Sequence, residues 1–240
     1  MEDFQTIYDR AATRKGGAAA LEAMIAEHPP KSRAELAAIP DHRWLAEITR
    51  AVFQAGFNWR VIDNKWPGFE EAFHGFDPPL NAAMSEEEFD AHLKDTRIVR
   101  NAQKVASVRA NAQFLVDLAE EHGSAARFFA EWPDSDLVGL LEVMKKRAAR
   151  CSGETAMRLL RRMGKPAFIT SRDVAAALVE AGVIEKPPSS RKDLQAVQDA
   201  FNAWTKESGR DLTAVSRVLA MSCGPSYDPA EGPPMRRGRR

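Results

Sequence analysis

Apolar residues recur along this chain at helical spacing. Leu45, Ile48, Val52 and Phe53 fall on one stripe, and Ile98, Ala102, Val105, Val108, Ala112 and Leu115 form a longer stripe of the same kind. Leu137, Leu140, Leu141 and Met144 repeat the pattern, followed by Leu159, Leu160 and Met163 and then by Val174, Leu178 and Ala181. Leu194, Val197, Phe201 and Trp204 give a penultimate stripe, and Leu212, Val215, Val218 and Leu219 the last. No alternating run bounded by turn residues is long enough for a strand. The chain is expected to be all-α.

Polar residues punctuate these stripes. Ser85 lies three positions before Glu88, the spacing of a capping box. Thr170 and Ser171 precede a helix with Asp173 in its first turn, where the helix dipole favours an acid. Breaks are expected at Pro29-Pro30, Pro67-Gly68, Asp77-Pro78-Pro79 and Pro187-Pro188-Ser189-Ser190. No repeat of solenoid period is present. Residues 11–40 are rich in alanine and charge and read as a helix and a loop ahead of the core. The expected division is an N-terminal helical extension over 1–40, a helical domain over 41–223, and a disordered basic tail over 224–240 ending in Arg236, Arg237, Arg239 and Arg240.

Composition narrows the class of protein. The 240 residues carry 44% hydrophobic and 28% charged side chains, an ordinary globular balance. Two widely separated cysteines, Cys151 and Cys223, argue against a disulfide framework and for a reducing compartment. No segment approaches the roughly 18–20 apolar residues of a membrane span. The acidic start Met1-Glu2-Asp3-Phe4 lacks the order of a signal peptide, so the expected location is the cytoplasm. Lys+Arg and Asp+Glu both total 34. That balance gives no global pull toward nucleic acid, so any affinity for DNA must come from a local basic face.

One stretch carries more specific information. Phe53-Gln54-Ala55-Gly56-Phe57-Asn58-Trp59 resembles the Q-A-G-x-x-W signature of the bacterial DNA-3-methyladenine glycosylase I family. In order after it come Phe69, Phe73, Gly75-Phe76-Asp77-Pro78, Arg97-Ile98-Val99-Arg100-Asn101-Ala102-Gln103-Lys104 and Met163-Gly164-Lys165-Pro166-Ala167-Phe168-Ile169, each similar to a family segment. The resemblance spans roughly residues 45 to 185. It implies a helix-hairpin-helix glycosylase fold and a monofunctional hydrolase of base-excision repair. Its partner would be double-stranded DNA containing alkylated bases, its state a monomer, and it would need no cofactor. The damaged nucleotide is flipped into a pocket because its glycosidic bond is out of reach inside a stacked duplex.

The resemblance also implies roles for residues. Phe53, Gln54, Asn58 and Trp59 fall at substrate-binding positions, and Gly56 and Phe57 where the family probes the duplex. Four of these have a structural alternative: Trp59 and Phe57 as core aromatics, Gln54 as a backbone partner, Gly56 as a helix C-cap. Arg97, Arg100, Asn101 and Lys104 around a helix start, with Lys165, would grip phosphates. Lys165, Ser171 and Arg172 suggest a second patch, and Arg158, Arg161, Arg162 and Lys165 a basic edge. The alternative is a solvated basic surface.

Two departures matter. The family glutamate three residues before this glutamine, which recognises the damaged base, is replaced by Ala51. Glu47, one turn earlier on the same face, and Asp63, four residues after Trp59, are therefore the candidate catalytic carboxylates. The family's zinc ligands have no counterparts near the start, and Cys223 has no nearby histidine, so no metal is expected. The stretch Asn202 to Ala220 is a candidate replacement for that closure. The competing function is a non-catalytic DNA-binding or lesion-sensing helix-hairpin-helix protein.

Overall fold

The computed structural model describes residues 1–27 and 29–224, and every segment of regular structure in it is helical. The expected basic tail from residue 225 onward lies outside the described residues. Phe4–Arg14 (α1) and Ala18–Ala26 (α2) open the chain. Arg33–Ala37 (α3), Asp41–Gln54 (α4), Trp59–Ala72 (α5), Pro78–Ala82 (α6) and Glu86–His92 (α7) follow. Next come Ala102–His122 (α8), Ala125–Glu131 (α9), Leu137–Arg147 (α10) and Gly153–Met163 (α11). Arg172–Glu180 (α12), Arg191–Ser208 (α13) and Leu212–Ser222 (α14) end the described chain.

The apolar stripes become the buried faces of α4, α8, α10, α11, α12, α13 and α14, except that Ala102 is exposed and Leu194 half-buried. Elsewhere the chain departs from the expected pattern. Pro67 does not break a helix: it lies exposed within α5, which continues because Ile62, Trp66 and Phe69 are buried on its other side. The expected break does fall at Asp77-Pro78-Pro79, where a new helix starts. The Asp77 side chain accepts from the Leu80 N–H, and Pro78 takes the first helical position, where a missing donor costs nothing. At Ser85 only half of the capping box forms, because the Glu88 carboxylate turns to His74 at 2.7 Å. Complete boxes stand instead at Ser32–Glu35 and Ser190–Asp193. Residues 11–40 hold the end of α1 and two further helices, more than a helix and a loop.

The chain forms two compact units, one joining Met1–Pro30 to Pro166 and the residues after it, the other Lys31–Lys165. These bounds differ from the 1–40 and 41–223 division, because the segments on either side of Lys31–Lys165 pack with each other. In that unit α1 packs on α2, α13 and α14. Trp204 is fully buried, its indole N–H donating to the Glu2 carbonyl at 3.0 Å. Arg210 grips Glu22, and the Glu22 carboxylate also accepts from the Tyr8 hydroxyl at 2.6 Å.

In the Lys31–Lys165 unit α4 is central, packed by α5, α8, α9 and α11. Asp41 at its start accepts from the Ala125 and Ala126 N–H groups at 3.0 and 2.9 Å, so one carboxylate satisfies the open end of α9. Trp44 stacks on Phe129 at 4.2 Å, while Phe53, Trp66, Phe69, Phe73 and Phe76 form a second aromatic cluster under α5. The second cluster holds the C-terminal end of α4 through Phe53, where the candidate site lies.

Candidate active site

Helix α4 ends at Gln54 because Gly56 takes a left-handed backbone, φ 69°, in the turn into α5. A Cβ at Gly56 would meet no atom within 4 Å, so the turn is open to an approaching partner. Asn58 then caps α5, its side chain accepting from the Arg60 N–H at 3.1 Å. The turn leaves Phe57 46% exposed and Trp59 55% exposed, whereas Trp44, Phe53, Trp66, Phe69, Phe73 and Phe76 are each 8% exposed or less. The core reading fails for Phe57 and Trp59. Phe53 is fully buried, edge-on to Phe69 at 4.8 Å, and supports the turn from below rather than lining an open surface.

Beside the turn runs a charged network. Glu47, Arg50 and Gln54 share one face of α4. Arg162 on α11 donates from Nη1 to Gln54 Oε1 at 2.8 Å, and its Nε lies 3.5 Å from Glu47 Oε2. Gln54 in turn donates from Nε2 to Asp63 Oδ1 at 3.2 Å. Arg50 lies 3.5 Å from Glu47 and places its guanidinium 4.1 Å from the centre of the Trp66 ring. Burial pushes the Arg162 guanidinium below the ordinary arginine range, with Glu47 opposing the shift. Glu47 is thus neutralised by two arginines. Asp63 is exposed, and no arginine or lysine pairs with it among the described residues. Sequence reasoning places Arg162 only in a basic edge; its partner is 108 positions away, and no local pattern signals that pairing.

The expected phosphate grip is rearranged. Lys104 is 8% exposed, and its ammonium donates to the carbonyls of Phe53 and Ala55 at 3.0 and 2.9 Å. It caps the C-terminus of α4, where a cation complements the helix dipole, and burial lowers its pKa. Its Nζ also stands 5.7 Å from the Phe57 ring centre. Lys165 is 1% exposed and spends its ammonium on the Trp132 carbonyl and Asp134, at 2.8 and 2.9 Å. Arg97 is held by Asp95 and Glu71. Arg100 is exposed, without an ion pair among the described residues. Asn101 caps α8, accepting from the Lys104 N–H at 3.1 Å. In the other unit Ser171 caps α12 through the Val174 N–H. A buried ammonium already bonded to two oxygens has little left for a phosphate, which removes Lys104 and Lys165 from any direct grip.

The Cys223 thiol donates to Glu180 at 3.4 Å, and no group of three or more His, Cys, Asp or Glu among the described residues could hold a metal ion.

The methyladenine glycosylase family model matches residues 38–185, more than half of the chain, from just before α4 to just beyond α12. The chain therefore belongs to that family. It is 33% identical over 70 residues to DNA-3-methyladenine glycosylase 1 of Escherichia coli, covering 29% of this chain and 37% of that one. It is also 33% identical over 60 residues to DNA-3-methyladenine glycosylase of Haemophilus influenzae, covering 25% and 32%. The matched stretch thus spans about a third of these relatives. Among solved structures, 3-methyladenine DNA glycosylase I of Staphylococcus aureus gives a TM-score of 0.48 at 19% identity, over 52% of this chain and 77% of that one. No helix among the described residues is long and apolar enough to cross a membrane.

Proposed function

We propose that the protein is a monofunctional DNA glycosylase that hydrolyses the N-glycosidic bond of alkylated purines such as 3-methyladenine. It would act as a cytoplasmic monomer on double-stranded DNA. Family membership supports this class of reaction, and the names of the curated relatives support the base. The observation that carries the reading is the exposed pair Phe57 and Trp59 beside Gln54 and Asp63. Fully burying such a ring is worth roughly 1.5–3 kcal/mol, so leaving Phe57 46% and Trp59 55% exposed forgoes about half of that each, which favours a surface built for a partner.

On this reading Trp59 offers its face to the flipped base. An N3-alkylated adenine is cationic, and such a contact is worth about 1–2 kcal/mol once water is excluded. Asp63, one helical turn along α5 from Trp59, supplies the negative charge. Water attacks the anomeric carbon while the C1′–N9 bond breaks. The bonding pair leaves with the base and neutralises it, and Asp63 takes the proton of the attacking water as general base. Because the base is already a good leaving group, holding and orienting it supplies much of the catalysis. Phe57, with Gly56 open beneath it, enters the space the flipped nucleotide vacates. Arg100 and the N–H groups at the start of α8 remain for phosphate.

The test is chromatographic identification of bases freed from methylated duplex by the full-length protein. Release of 3-methyladenine above the buffer control supports the reading. Salt-sensitive retention of the duplex without release would favour the binding-only alternative instead.

A further inference from the structure

Residues 47–63 hold the candidate site, yet the amide linking α4 to α5 is anchored from a third helix. Glu47 and Gln54 lie four residues before and three after Ala51, on one helical face. The Arg162 guanidinium reaches both, at 3.5 and 2.8 Å. A guanidinium only donates hydrogen bonds, and a carboxylate only accepts them. Between Arg162 and Asp63 the Gln54 amide therefore has one orientation, with its oxygen toward α11 and its NH2 on Asp63 Oδ1 at 3.2 Å. Asp63 is exposed and on its own leaves the amide free to swing; Arg162, braced by Glu47, is the fixed end of the chain. The Oδ2 atom of Asp63 keeps no protein partner among the described residues.

The geometry points to Arg162 as a positioning residue: it fixes the Gln54 amide and through it aims the Asp63 carboxylate at the base site. Only the kinetic consequence rests on the glycosylase reading; the orientation itself is testable without it.

The experiment compares wild type, Arg162→Met and Arg162→Lys in the full chain. The first readout is the side-chain amide resonances of Gln54. In Arg162→Met they shift and exchange faster with solvent, while Arg162→Lys, which still donates, restores most of the wild-type pattern. The second readout is base release. A displaced carboxylate lowers kcat roughly 10- to 100-fold, with KM for the duplex within about twofold. Unmoved Gln54 resonances in Arg162→Met, or a loss confined to KM, would overturn the inference. Should Arg162→Met not fold, Gln54→Glu replaces it. That carboxylate keeps the pair with Arg162 but has no donor for Asp63, so it must fold and still lose turnover; unchanged turnover overturns the inference. Absence of base release by wild type would sink the glycosylase reading alone, since the resonances still decide the orientation.

Discussion

Replacing Lys104 by methionine separates a helix cap from a phosphate grip. The thioether keeps most of the apolar stem and removes the ammonium that donates to the Phe53 and Ala55 carbonyls. A hydrogen bond from a charged donor contributes about 1.5–3 kcal/mol, and two carbonyls would be left at the end of α4. Relief of the buried charge offsets part of the loss, giving a net destabilisation of about 3 kcal/mol. For a chain of this size that lowers the unfolding midpoint by roughly 6–12 °C. The assay is thermal unfolding by circular dichroism, run beside DNA retention at several salt concentrations. The salt slope should stay unchanged, because Lys104 reaches no phosphate. An unaltered midpoint together with a slope reduced by about one would refute the cap and restore the grip.

Three further outcomes follow from the same structure. Gly68→Ala places a Cβ 2.7 Å from Arg97 Cβ and 2.8 Å from the Arg97 carbonyl oxygen. It should cost about 1–3 kcal/mol in urea unfolding, since backbone cannot yield as a side-chain tip does. His92 is 6% exposed and its Nε2 has no hydrogen bond; burial, partly opposed by Glu88 and Asp95, lowers its pKa below the usual 6.5. The unfolded chain then takes the proton first, so this stability is full above about pH 6.5 and is lost as pH falls through the lower folded value. His92→Leu should flatten the dependence of the melting midpoint on pH in that window, and parallel profiles would contradict it. Finally, Glu47→Gln should mainly destabilise, because it leaves Arg50 and Arg162 without their carboxylate, while Asp63→Asn should fold normally and lose base release.

Local periodicity made the helices legible, and it did so best where one face is continuously apolar. Helix α8 shows the limit: Ile98 belongs to its stripe and is buried, but the helix starts only after the Asn101 cap. Helix α5 is harder to read because Pro67 suggests a break. The spacing of Ile62, Trp66, Phe69 and Phe73 was the available signal against one. The charged residues were least legible. Lys104 and Lys165 look like surface cations in sequence, and only tertiary packing supplies the carbonyls that bury them. For the same reason the Arg162 anchor became visible only once α11 was packed against α4.

The most direct test of a base-excising site at the α4–α5 turn is single-turnover base release by wild type and Trp59→Ala. Trp59 is 55% exposed, so the variant should fold and melt almost as wild type does. Wild type is expected to free 3-methyladenine, and the variant to lose about tenfold or more in rate while keeping its salt-dependent hold on DNA. Equal release by both proteins would move the site elsewhere, and none from folded wild type would contradict the enzyme reading itself.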